Sequence, residues 1–236
     1  MIKQGTNKVK FMKGTSKVKA LMLGTQKVWS SGSVVSYYDG DTLLGTEEVE
    51  EGLDVLHPSI STAKTGYTLY GWGLSNSIDA KIGQLVATGE PMKLYALYLP
   101  NALTVAQGRF TSESMWADYV VDILNADYVT GHINASAQGY NSWGGGQSQP
   151  KEDTQTFTID LGLYGKATIS GRFVVARGDG AQARFDNTSV SSSFSKNVTA
   201  SGSHTLWAFA YAPSGLWASA ILGVTSIVLS EPTAWV

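Results

Sequence analysis

Polar and apolar positions alternate from the start of the chain. Lys8, Lys10 and Met12 fall on one parity, Val9 and Phe11 on the other, which is the period of a strand with two unlike faces. Gly5-Thr6-Asn7, Gly14-Thr15-Ser16 and Gly24-Thr25-Gln26 interrupt the alternation at starts nine and ten residues apart, and Lys-Val follows each of them. That interval is too short for a helical repeat and suits a strand plus a tight turn. Glycine supplies the positive φ that such a turn needs. Residues 2–29 are expected to form a small β-meander.

A second alternating stretch runs from Val34 to Leu99. It holds Tyr37-Tyr38-Asp39-Gly40-Asp41, with a hairpin turn at Asp39-Gly40, then an acidic strand through Glu47, Glu48, Val49, Glu50 and Glu51. Gly66-Tyr67-Thr68-Leu69-Tyr70-Gly71-Trp72 follows, and Leu94-Tyr95-Ala96-Leu97-Tyr98 closes the unit. This order resembles the Listeria–Bacteroides repeat of internalin-type surface proteins. Gly-Tyr-Thr-x-x-Gly-Trp is its most specific element, although that family usually closes on Trp where Tyr98 stands here. The resemblance implies a β-grasp-like spacer or adhesion module and no chemistry. Separately, the Gly-Thr-x-Lys-Val hairpins resemble repeats in tail and other structural proteins of phages.

Pro100-Asn101-Ala102 reads as a linker, so the expected division is 1–32, 33–100 and 101–236. In the third part Ser112 to Leu124 fits either an amphipathic helix capped by Ser112 or a strand through Tyr119-Val120-Val121. Strands are expected at Tyr128–Ala137, Thr154–Leu161, Ala167–Ala176, Ala181–Phe185, Val190–Val198, His204–Tyr211, Trp217–Leu222 and Ser226–Leu229. Asp179-Gly180, Asp186-Asn187, Ser201-Gly202 and Pro213-Ser214-Gly215 supply turns, and Gly144–Pro150 a surface loop. Many short strands at this spacing predict a β-sandwich or jelly roll, and the chain as a whole is expected to be mainly β.

Charge is uneven. Residues 1–29 carry seven Lys and no acid, residues 30–60 seven acids and no base, against a net charge of −2 for the whole. Lys8, Lys10, Lys17 and Lys19 are candidates for docking on an acidic partner, or the solvated side of a small sheet. Without Arg in that block a nucleic-acid partner is not expected. No run of eighteen apolar residues occurs, so no membrane-spanning helix is expected, and the Lys-rich start does not read as a signal peptide. Cysteine is absent, which removes disulfides and thiol chemistry.

Catalytic patterns are sparse. His57, His132 and His204 have no second His or carboxylate at metal-ligand spacing, so no metal and no cofactor is expected. No nucleophile elbow, P-loop or dinucleotide fingerprint occurs. Glu113/Asp118 and Glu152/Asp153 are carboxylate pairs of unknown separation and do not argue for a glycosidase. Arg177-Gly178-Asp179 reads as part of a hairpin turn rather than an adhesion triplet, and the Asn134, Asn187 and Asn197 glycosylation patterns read as chance. Tyr140, Trp143 and Tyr211 flank Gly- or Pro-containing loops and are the candidate glycan-stacking residues, whereas Trp207 and Trp217 are expected to fill the core. Together these features lead to a non-enzymatic phage virion structural protein, made in the host cytoplasm and carried on the particle. It would dock on other virion proteins, form a homo-oligomer with a trimer favoured, and present a β-sandwich to a host glycan. The alternatives are a bacterial surface adhesin or the carbohydrate-binding module of an enzyme.

Overall fold

The computed structural model describes residues 12–13, 16–17, 20–23, 26–30, 32–112, 118–140, 150–177, 179–212 and 217–234; before residue 32 it describes backbone alone. The protein is mainly β. It divides into two compact units, Met1–Leu99 with Ala234–Val236, and Pro100–Thr233.

In the first unit, β1 (Met12–Lys13) pairs with β2 (Ser16–Lys17), and β3 (Ala20–Leu23) with β4 (Gln26–Ser30), both antiparallel. Gly14-Thr15 and Gly24-Thr25 fall between the paired strands, where the repeat places its turns. β5 (Ser33–Asp39), β6 (Thr42–Val49), β7 (Tyr67–Gly73) and β8 (Met92–Pro100) form a four-stranded sheet in the order β6-β5-β8-β7. Its central pair, β5 and β8, is parallel. This is the strand order of a β-grasp sheet, with an irregular crossover over residues 50–66 in place of a helix. Asp39 pairs with Thr42, so the β5–β6 loop is Gly40-Asp41, and Gly40 takes φ +58 there. The alternation of β5 buries Val35 and Tyr37 and exposes Val34. Tyr37 meets Trp72 edge-on at 5.0 Å and donates its hydroxyl to the Val55 carbonyl at 2.8 Å. Trp72 of the Gly-Tyr-Thr-x-x-Gly-Trp element is thus a core residue.

The second unit is a sandwich of antiparallel sheets. Its strands are β9 (Ala102–Ser112), β10 (Asp118–Ile123), β11 (Val129–Gly131), β12 (Asn134–Tyr140), β13 (Pro150–Ile159) and β14 (Tyr164–Arg177). They continue as β15 (Asp179–Phe185), β16 (Thr188–Ser189), β17 (Ser193–Val198), β18 (Gly202–Tyr211) and β19 (Trp217–Pro232). One sheet runs β10-β9-β19-β14-β17, with β12 also paired to β19; the other runs β11-β13-β18-β15-β16. From β12 onward the chain passes back and forth between them, as in a jelly roll.

Four expectations change here. The single strand expected at Tyr128–Ala137 is two, β11 and β12, in different sheets. Residues 118–123 are a strand paired with β9, which itself runs through Ser112, so the helix reading fails there. Val120, Val121 and Ile123 are β-branched, which favours the strand. β14 and β15 lie in different sheets, so Arg177-Gly178-Asp179 joins the sheets and is not a hairpin; Gly178 lies outside the described residues. The two expected strands at Trp217–Leu222 and Ser226–Leu229 are one, bridged by a bulge where Ser170 pairs Ser226 and Gly171 pairs Val224.

The sandwich core is graded. Phe157, Ile159, Ile169, Leu206, Ile227 and Leu229 fill one region. Elsewhere it is walled by Ala135, Ala137, Ala208, Ala210, Ala218 and Ala220, all buried. There the inner positions are taken by small side chains, and large ones are left for the outside.

Candidate functional site

β18 shows the consequence. His204, Leu206, Ala208 and Ala210 are buried, while Trp207, Phe209 and Tyr211 alternate with them on the other face and are only partly covered. The expectation that Trp207 fills the core is therefore corrected, because alanines occupy the inner parity. Trp217 is 40% exposed and also stands outside the core.

Three aromatic side chains thus share the outer face of the central strand of the five-stranded sheet. The Trp207 and Phe209 rings are nearly parallel, 17° apart with centroids 5.9 Å apart. In register, Phe209 lies between Glu152 and Gln182, and Trp207 between Thr154 and Arg184. The indole N–H donates to Glu152 Oε2 at 3.3 Å, and the Arg184 guanidinium carbon lies 4.9 Å from the indole centroid. Trp207 is thus held from both neighbouring strands, which lowers the entropy cost of presenting it. A shallow depression of about 160 Å³ at this end is lined by Thr154, Arg184, Asn187, Thr205 and Trp207. Asn187 is set there by the two-residue β15–β16 turn, in which Asp186 and Asn187 take φ +45 and +64.

Of the expected glycan-contact residues, Tyr211 belongs to this face. Tyr140 ends β12 in the other sheet, in register with Trp217, so the fold does not bring it onto the face of Tyr211. Trp143 lies outside the described residues, as do Lys8, Lys10 and Lys19, while Lys17 closes β2. Sequence reasoning places Trp207 in the core and passes over Phe209 and Arg184. The available signal was the alternation of large and small residues over 207–211, read with the alanines of β12 and β19.

The titratable clusters fit structural roles. Asp186 Oδ2 meets His204 Nδ1 at 2.7 Å and Lys196 Nζ at 2.9 Å, and Oδ1 accepts the Thr205 amide at 2.9 Å. Burial pushes the Asp186 carboxyl up, but the Thr205, His204 and Lys196 hydrogen bonds outweigh it and hold its pKa below the ordinary value. The Asp186 carboxylate can only accept, so Nδ1 of His204 donates to it; Nε2 is buried without a hydrogen-bond partner, with the ring against Phe157 and Phe185. No nucleophile faces that nitrogen among the described residues. Glu152 and Asp153 are successive strand residues on opposite faces. Glu152 holds Trp207, and Asp153 accepts the Ser136 amide at 2.7 Å, so the two do not converge on one bond. Glu113 lies outside the described residues. Among the described residues no group of three or more metal-ligating side chains occurs, and no helix is long and apolar enough to cross a membrane.

Comparison with protein-family models, with curated proteins and with solved structures found no match for this chain.

Proposed function

We propose that this protein is a phage virion structural protein that attaches the particle to a host-surface glycan by binding, without catalysis. The observation that carries the binding part is the Trp207–Phe209–Tyr211 face, three aromatic side chains on one strand flanked by Glu152, Thr154, Gln182 and Arg184. Sugar rings offer C–H faces to aromatic surface and hydroxyls to such polar neighbours. The virion part is supported by the Gly-Thr-x-Lys-Val hairpins and by the internalin-type pattern of residues 34–99. In this reading the Lys-rich start docks on other virion proteins and the four-stranded module is a spacer. The chain assembles as a homo-oligomer, with a trimer favoured, so weak single-site contacts gain by multivalency. No cofactor, nucleic acid or membrane is needed.

The test is attachment of the labelled full-length chain to host cells. Trp207→Ala with Phe209→Ala should lower attachment at least about tenfold, from the loss of two stacked rings. Unchanged attachment overturns the reading. A bacterial surface adhesin would use the same face; absence of the protein from purified particles, with cell binding retained, favours that second reading.

A further inference from the structure

We propose that the Trp207 end of this face is a subsite for an anionic sugar unit, with Arg184 as the group that takes the charge. The inference rests on the glycan-attachment reading and names the ligand class. Arg184 is exposed on β15, in register with Trp207. Its guanidinium carbon lies over the indole, 4.9 Å from the ring centroid, a cation–π contact that spends none of the five N–H donors on an oxygen acceptor. The contact therefore holds the charge at the ring and leaves its donors for a ligand.

Neither neighbouring carboxylate forms an ion pair with Arg184. Asp186, two residues on, is held by His204, Lys196 and the Thr205 amide. Glu152, the carboxylate on β13, takes the indole N–H. Among the described residues Arg184 has no ion pair; its guanidinium meets the indole ring. A guanidinium held at an aromatic ring, without an ion pair among the described residues, is complementary to a sugar ring that carries a negative group. Thr154, Thr205 and Asn187 line the same depression and add two hydroxyls and an amide for sugar hydroxyls. The space suits a charged substituent and the edge of one ring. The rest of the glycan would then follow β18 over Phe209 towards Tyr211. A carboxylate and a phosphate share this chemistry, and the experiment separates them.

The seven lysines before residue 30 would bind any polyanion, so the background for the test is the full-length chain with Lys8, Lys10, Lys17 and Lys19 replaced by Gln. Binding is measured to immobilised polygalacturonate, to poly(glycerol phosphate) and to neutral dextran. Arg184→Gln should weaken binding to one of the two anionic polymers about tenfold, as expected for a charge-assisted pair. It should also remove most of the salt dependence of that binding, and lower dextran binding by less than it lowers binding to that polymer. The responding polymer identifies the anion. Equal binding of Arg184→Gln and its parent to both anionic polymers overturns the subsite. If Arg184→Gln is silent while Trp207→Ala with Phe209→Ala abolishes cell attachment, the attachment reading stands and the anionic subsite falls. If both are silent, both fall. Dissociation of the oligomer by Trp207→Ala, with polymer binding intact, would show that the face is covered by another copy and also overturns the subsite.

Discussion

The two outer faces of the sandwich carry aromatic residues of the same kind and treat them in opposite ways. On the six-stranded sheet, Tyr119 lies across Gly108 and Gly223, donates its hydroxyl to the Val224 carbonyl and meets Phe110 edge-on at 5.1 Å. Val174 and Ile221 are buried with them, so this face closes a small core of its own. Burial raises the Tyr119 phenol pKa well above the ordinary value. On the five-stranded sheet, Trp207 and Phe209 rest beside Glu152, Thr154, Gln182 and Arg184 instead. Glycine beneath a ring makes it part of the fold. Polar, partly uncommitted neighbours beside a ring leave it available to something else.

The comparison can be broken at several points. The largest effect is expected on the closed face. A Cβ at Gly108 would overlap both the Tyr119 hydroxyl and the Val224 carbonyl, and backbone does not yield. Gly108→Ala should cost about 3 kcal/mol in chemical denaturation; a cost below about 1 kcal/mol would mean that Tyr119 is not pinned there. On the open face, Phe209→Ala should lower glycan or cell binding about tenfold while costing about 1 kcal/mol of stability. A stability loss as large as that of Gly108→Ala would make Phe209 a structural residue. Tyr119→Phe keeps the packing and loses one hydrogen bond, for about 1 kcal/mol, with no change in binding.

The smallest effect concerns acid. The folded pKa of Asp186 is lowered, so its contribution is fully present above the ordinary carboxylate pKa of 3.8 and is lost as pH falls through the lower folded value. Unfolding temperature should therefore fall on the acid side, and Asp186→Asn should flatten that fall. An identical acid profile for the variant would show that other carboxylates set it.

Much of this contrast was hidden in the sequence for a definite reason. Residues 206–212, Leu-Trp-Ala-Phe-Ala-Tyr-Ala, are apolar on both parities. Hydropathy shows a strand and does not say which face is inside, and a rule that large residues go inward selects the wrong one. The answer depends on Ala135, Ala137, Ala218 and Ala220 lying opposite, and that is tertiary information. The mainly β character, the Asp186-Asn187 turn and most strands of the sandwich were readable, because alternation and turn residues are local. The sheet change after Arg177 was not, because a turn dipeptide does not record which strand its successor will pair with. Tyr119 lies in the segment that fits a helix or a strand, and its seat is legible only once Gly108 and Gly223 are known to pass beneath it.

The position of β19 has a consequence for how the molecule is made. Its sixteen residues pair with β14 along one side and with β12 and β9 in succession along the other. Of the described strands it is the latest in the chain. During synthesis, β9, β12 and β14 leave the ribosome before their shared central partner exists. β9 must wait for residues more than a hundred positions away. Such long-range pairing is slow and leaves strand edges open meanwhile. A chain stopped before Trp217 has lost the centre of a sheet rather than its margin, and aggregation is its expected fate.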